Sequence, residues 1–166
     1  MVDLFAKITN MIHKRLPAII GFYGYSKSGK TTLINSLISK LKTKGISSAV
    51  IKETDKPIRV EEEGKDSLSF RISGAFITAF SSKLETNFTI NAPIQTERII
   101  NVISLLSDVD LVFVEGASSL AIPKIRLGEK PLRENTLLTY SGNIGDIETI
   151  IEKLLAERKE EVKDEN

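Results

Sequence analysis

Gly24-Tyr25-Ser26-Lys27-Ser28-Gly29-Lys30-Thr31-Thr32 is the stretch that decides how this chain is read. Glycine, four residues, glycine, lysine and a hydroxyl residue form a loop suited to wrapping a phosphate chain. Glycines let the backbone amides curl around an anion where a Cβ would collide. Lys30 carries a point charge to the outer phosphates, and Thr31 offers a hydroxyl oxygen to Mg²⁺. A helix opening at Lys30 aims its unpaired N–H groups and the positive end of its dipole at the same anion. All nine residues, Gly24, Tyr25, Ser26, Lys27, Ser28, Gly29, Lys30, Thr31 and Thr32, are therefore candidate nucleotide contacts.

The flanks supply the context that such a motif needs. Ala18-Ile19-Ile20-Gly21-Phe22-Tyr23 is a short apolar run suited to a buried strand. Leu33, Ile34, Leu37, Ile38 and Leu41 repeat at helical spacing, and Gly45 stands where a helix ends. Strand, loop and helix in this order outweigh the bland alternative, a glycine-rich turn with an accidental lysine.

At 166 residues with 41% hydrophobic and 27% charged content, the chain has the make-up of one globular domain with a sizeable core. A net charge of +1 gives no electrostatic case for nucleic acid or an anionic membrane as partner. No apolar run is long enough to span a bilayer, and the first residues lack a secretory pattern, so a cytoplasmic location is expected. There is no cysteine and one histidine, which excludes disulfides and thiolate zinc sites.

Leu4, Phe5, Ile8, Met11, Ile12 and Leu16 form one stripe, so residues 1–17 are read as an amphipathic helix packed on the domain or a second subunit, with His13 on its polar side. Residues 18–158 are read as the nucleotide-binding domain, undivided by any linker, and 159–166 as a charged tail that frays or is disordered. Strands are expected at 47–52, 75–80, 110–114, 122–127 and 136–140, with 86–90 a short edge strand. Helices are expected at 65–73, 93–107 and from Asp146 onward. Strands alternating with helices predict an α/β, three-layer phosphate-loop NTPase fold: a mainly parallel sheet with helices on both faces and the ligand at one rim.

Asp110-Leu111-Val112-Phe113-Val114-Glu115-Gly116 is an apolar strand ending in an acid. Beside a phosphate loop, that carboxylate is placed to act on Mg²⁺ or on an attacking water; alone it would be an ordinary strand with a surface glutamate. Gly64-Lys65-Asp66-Ser67 reads first as a helix start, its functional reading putting Asp66 near the metal. Glu61 to Glu63 are read as a solvated charge run. Lys52 and Lys124 are candidate contacts for phosphate or an anionic second substrate.

Together these segments resemble the molybdopterin-guanine dinucleotide biosynthesis protein B (MobB) family. The resemblance runs through Gly24 to Leu33, Val50 to Lys52, Gly64 to Ser67, Ser73 to Ala75, Asp110 to Gly116 and Pro123 to Ile125. It implies a GTP-binding homodimer with weak Mg²⁺-dependent hydrolysis, assisting the guanylyltransferase that attaches GMP to molybdopterin, with molybdopterin itself a further candidate ligand. It also implies that Lys30, Asp66 and Glu115 do the chemistry, that Thr31, Asp66 and Glu115 serve the metal, and that Lys52 and Lys124 join the nucleotide contacts.

Two departures stand out. Where the family has histidines after the position of Lys52, this chain has Glu53, Thr54 and Asp55. Where it has an aromatic and a lysine after Glu-Gly, this chain has Ala117 and Ser118. The Asn-Lys-x-Asp signature for guanine is missing, and Thr139 to Asp146 is either a base pocket or a plain strand-to-helix turn. A small-molecule kinase using ATP and a non-catalytic, nucleotide-controlled scaffold are the alternatives.

Overall fold

The computed structural model describes the backbone of residues 16–58 and 65–164 and the side chains of residues 16–58 and 68–158. The helix expected over residues 4–16, with His13, and the acidic run Glu61 to Glu63 lie outside the described residues. The described chain forms two compact units, residues 55–95 and the remainder, where the sequence suggested one domain over 18–158.

The larger unit is built on a five-stranded sheet in which every pair is parallel. Its strands are β1 (Ala18–Gly24), β2 (Ser48–Lys52), β5 (Leu111–Glu115), β6 (Lys124–Leu127) and β7 (Thr136–Tyr140), ordered β2-β5-β1-β6-β7. Helices α1 (Lys30–Thr43), α3 (Thr96–Leu106) and α4 (Ile144–Asp164) supply the outer layers. Alternation along each strand divides the core in two. Ile20, Phe22, Leu111, Phe113, Ile125 and Leu127 face α1 and α4, where Leu33, Leu37, Ile147 and Ile151 meet them. Val112 and Val114 face the other way, onto Ile99, Ile100 and Ile103 of α3. The expected fold class is thus borne out: a mainly parallel sheet between helices.

Four buried side chains, Leu33, Ile34, Leu37 and Leu41, anchor α1. Each fully buried residue of this kind contributes about 1.5–3 kcal/mol, which offsets the lack of a side-chain cap at the helix N-terminus. Helix α4 continues through the first part of the expected tail to Asp164. Good helix formers, and pairs such as Lys153 with Glu157, favour that extension. Among the described residues no helix is long and apolar enough to cross a membrane.

The smaller unit holds α2 (Lys65–Ile72) and the strands β3 (Ile77–Ser81) and β4 (Thr86–Ile90). The two strands pair antiparallel, Ile77 with Ile90 and Ala79 with Phe88, and form a sheet of their own. The link between them is too short for a parallel crossover. Ser82 closes it, its amide donating to the Glu85 carbonyl and its Oγ accepting from the Leu84 and Glu85 amides.

Candidate functional site

Strand β1 delivers the phosphate loop at the sheet's C-terminal rim. Gly24 is required there by crowding: an added Cβ would stand 2.5 Å from the Leu127 carbonyl and 2.8 Å from Ser28 Oγ. Gly29 is the N-cap of α1 and offers no side-chain hydrogen bond, so the first amides of the helix remain available to a ligand. Lys30 folds over the loop, its ammonium donating to the carbonyls of Tyr25 (2.7 Å) and Gly24 (3.3 Å) and to Ser28 Oγ (3.3 Å). A phosphate chain in the loop would offer that ammonium stronger, charged acceptors within its reach. Tyr25, Ser26, Lys27 and Gly29 are exposed, as are Thr31 and Thr32.

Beside the loop, Thr31 Oγ1 donates to both carboxylate oxygens of Glu115, at 3.0 and 2.9 Å. Glu115 ends β5, the immediate neighbour of β1, and is almost buried. A hydroxyl and a carboxylate are hard oxygen donors, and Mg²⁺ commonly takes one or two protein oxygens, with phosphates and water completing its shell. The donor set therefore fits Mg²⁺ held together with a nucleotide. Among the described residues no cluster of three or more His, Cys, Asp or Glu forms, so nothing competes as a self-sufficient metal cage.

Lys52 ends β2 and lies in register with Glu115. It is exposed at the same rim. Lys124 is placed differently. It opens β6 opposite Gly21, three residues beneath Gly24, and is fully buried. Its ammonium donates to the carbonyls of Ile122 (2.6 Å), Glu134 (3.0 Å) and Leu120 (3.3 Å). Burial, and next the Arg133 cation, push its pKa below the usual lysine range. Asp66 is the second residue of α2 in the smaller unit, and its side chain lies outside the described residues.

Two residues to which the sequence alone assigned no role at the site shape the loop after Glu115. Arg133 donates from Nη1 to the carbonyls of Gly116 (2.7 Å) and Ala117 (2.9 Å) and lies 5.0 Å over the Tyr23 ring. Glu53 accepts from Thr96 Oγ1, from the Ser118 amide (2.8 Å) and from Ser118 Oγ (2.8 Å), while its own amide donates to the Glu115 carbonyl (2.7 Å). Burial alone would raise the Glu53 pKa, but the hydrogen bonds from Thr96 and Ser118 outweigh it and hold the carboxyl below its usual range. Gly116, at φ +109°, lets the chain pass there, since a Cβ would stand 2.9 Å from the Glu53 carbonyl. The two departures from the family pattern, at Glu53 and at Ala117-Ser118, thus meet in space. Ala117 packs inward against the backbone of Gly21, and Ser118 turns onto Glu53. For Glu53 the available signal was an acid directly after a rim strand; for Arg133, in an irregular loop, there was none.

Comparison with known proteins agrees with this geometry. A profile of the family described as molybdopterin guanine dinucleotide synthesis protein B matches residues 19–157. A putative molybdopterin-guanine dinucleotide biosynthesis adapter protein of Methanocaldococcus jannaschii is 34% identical over 80% of this chain and 60% of its own length. The chain therefore spans less than two thirds of that relative. The molybdopterin-guanine dinucleotide biosynthesis adapter protein of Escherichia coli is 32% identical over 70% of this chain and 69% of its own. Among solved structures, that of Bacillus subtilis MobB superposes with a TM-score of 0.61 at 20% identity, covering 84% of this chain and 96% of its own. A second, described as molybdopterin-guanine biosynthesis protein B, gives 0.55 at 27% identity, covering 83% of this chain and 99% of its own.

Proposed function

The chain belongs to the molybdopterin guanine dinucleotide synthesis protein B family, and from that premise we propose that it is a GTP-binding adapter in molybdopterin-guanine dinucleotide synthesis. In this reading it binds GTP with Mg²⁺, hydrolyses it slowly and assists the guanylyltransferase. The observation that carries the reading is the pair formed by Thr31 and Glu115 at the mouth of a phosphate loop whose helix has no side-chain cap.

Each residue then has a defined task. The loop amides and the N-terminus of α1 receive the phosphate oxygens. Lys30 turns from the carbonyls of Gly24 and Tyr25 onto the outer phosphates. Thr31 and Glu115 are the residues that would hold Mg²⁺, which when bound neutralises charge on the β- and γ-phosphates. In this reading Glu115 would also orient a water beside the phosphate chain, and Lys52, in register with it, would add a cation at the same rim. Arg133 donates to the carbonyls of Gly116 and Ala117 and so holds the backbone directly after Glu115 in one place.

The same reading makes the protein a homodimer. Support comes from the smaller unit, which leaves Phe70, Ile72, Phe76, Ile77, Phe80 and Phe88 about half or more exposed, apolar surface that contact with a second copy would cover. Phe88→Asp should shift the sedimentation coefficient to that of the monomer.

Calorimetric titration of GTP and ATP with Mg²⁺ on wild type and Lys30→Ala tests the core of the proposal. GTP should bind, ATP far more weakly, and the variant should lose roughly 100-fold or more, because two or more charge-assisted hydrogen bonds disappear. A preference for ATP would move the assignment to a kinase, and equal binding by wild type and variant would end the phosphate-loop reading.

A further inference from the structure

Residues 55–95 form the smaller unit, so the chain leaves the larger one after Thr54 and returns to it at Thr96. One carboxylate holds both crossings. Glu53 stands just before the exit, and its Oε1 accepts from Oγ1 of Thr96, the first residue of α3 and the point of return. Its other oxygen, Oε2, accepts from the amide and the hydroxyl of Ser118, each at 2.8 Å. A second stitch runs alongside, where Ser119 Oγ donates to Glu97, the next residue of α3. Glu53, Thr96, Glu97, Ser118 and Ser119 all belong to the larger unit.

The same residue backs Glu115. The Glu53 amide donates to the Glu115 carbonyl at 2.7 Å. Gly116 passes so close that a Cβ there would stand 2.9 Å from both Cβ and the carbonyl oxygen of Glu53. The main chain of Glu53 thus supports the turn at Glu115 and Gly116, and its side chain holds the stretch that follows. Because the carboxylate divides its two oxygens between Thr96 and Ser118, a shift of one is felt by the other. In this structure both side-chain oxygens of Glu115 accept from Thr31 Oγ1. Those are the oxygens a cation would take, so Glu115 exchanges its partner when the site fills, and its backbone must hold still meanwhile. Glu53 and Ser118 are both departures from the family pattern, which makes this link a property of the present chain.

We propose that Glu53 is a positioning residue that ties Glu115 to both crossings, so that Mg²⁺ and phosphates held at the loop tighten the tether of residues 55–95. The inference rests on the proposed nucleotide reading of the phosphate loop. Residues that hold a metal ligand from behind change metal affinity about 10- to 100-fold when they are removed. Coupling of this kind is reciprocal. Whatever fixes the smaller unit's two crossings also steadies Glu115, and whatever loosens them weakens the metal site.

The test combines calorimetric titration of GTP, with and without Mg²⁺, and amide hydrogen exchange read by mass spectrometry. In wild type, Mg²⁺ should raise GTP affinity, and GTP with Mg²⁺ should slow exchange in peptides from residues 55–95. Glu53→Ala should cut the gain from Mg²⁺ roughly 10-fold or more while leaving Mg²⁺-free affinity within about two-fold, and it should abolish the exchange response. Glu53→Gln keeps an oxygen for Ser118 and a donor for Thr96, so it should restore most of both responses. Ser118→Ala should act in the same direction, and adding it to Glu53→Ala should cost nothing further, because the two residues act as one unit. If Glu53→Ala does not fold, Ser118→Ala decides by the same two readouts. An unchanged gain from Mg²⁺, or a loss of affinity that is equal with and without Mg²⁺, overturns the proposal. If wild type binds neither GTP, ATP nor inorganic tripolyphosphate, the phosphate-loop reading fails and takes this one with it. If wild type binds GTP more tightly with Mg²⁺ while exchange in residues 55–95 ignores the ligand, the failure belongs to Glu53 alone.

Discussion

Lys30 and Lys124 are the same residue type, one at the start of helix α1 and one at the start of strand β6, and they do opposite things. Lys30 begins α1 at the rim, with its ammonium over a loop of exposed polar residues. Lys124 begins β6 three residues beneath that rim, with its ammonium sealed inside against three carbonyls. In a parallel sheet the C-terminal ends of the strands form the ligand rim, so a residue opening a strand sits in the body while one closing it sits at the site. Lys52, which closes β2 in register with Glu115, falls on Lys30's side of the division. Depth below that rim separates the buried Lys124 from Lys30 and Lys52.

The largest expected effect comes from reversing that division. Lys124→Met keeps the stem's volume but removes the donor from three carbonyls, costing about 3 kcal/mol of stability in a domain whose total is on the order of 5–15 kcal/mol. Urea unfolding should show the midpoint fall, and GTP affinity measured below that midpoint should stay within about two-fold, because the side chain braces the 120–134 loop from inside. Lys30→Met should give the mirror image: nucleotide binding lost, unfolding midpoint kept. If both substitutions cost affinity and neither cost stability, the division between rim and body would fail.

A middle-sized effect sharpens the contrast within the rim. Thr31→Val removes the hydroxyl that links α1 to Glu115. Nucleotide affinity should drop about ten-fold and lose most of its dependence on Mg²⁺, the hydroxyl being worth one strong hydrogen bond or metal contact. Affinity that still rises steeply with Mg²⁺ in this variant would show that the metal is held elsewhere.

Much of this was legible in the sequence, and what was not has physical causes. The phosphate loop, its strand and its helix are local, each specified by neighbouring residues, and they were readable together with Thr31 and Glu115. The parallel order followed from alternating periodicities. The β3–β4 hairpin did not, because Ala75 to Ile90 shows two strand patterns but nothing to say that they pair with each other and not with the main sheet. The depth of Lys124 was hidden for a related reason: its level depends on register with Gly21, more than a hundred residues away. The joining of Glu53 to Ser118 spans 65 residues. Each segment had been noted as a departure, but only folding shows that one departure answers the other.

That pairing yields the smallest predicted effect, and it concerns pH. The Glu53 carboxyl is held below its usual pKa in the fold, so the folded state releases its proton at lower pH than the unfolded chain does. Its contribution is therefore fully present above the ordinary Glu value of about 4.5 and is lost as pH falls through the lower, folded value. Glu53→Gln keeps the shape but replaces a charged acceptor by a neutral one for the Ser118 amide and hydroxyl. At neutral pH the cost should be about 1 kcal/mol, and the variant's stability should fall less than the wild type's between about pH 4.5 and the acid limb. Urea midpoints at pH 7 and at about pH 3.5 would show it. Curves that stayed parallel across that interval would mean that the charge on Glu53 does not hold the turn after Glu115, leaving Arg133 as its main restraint.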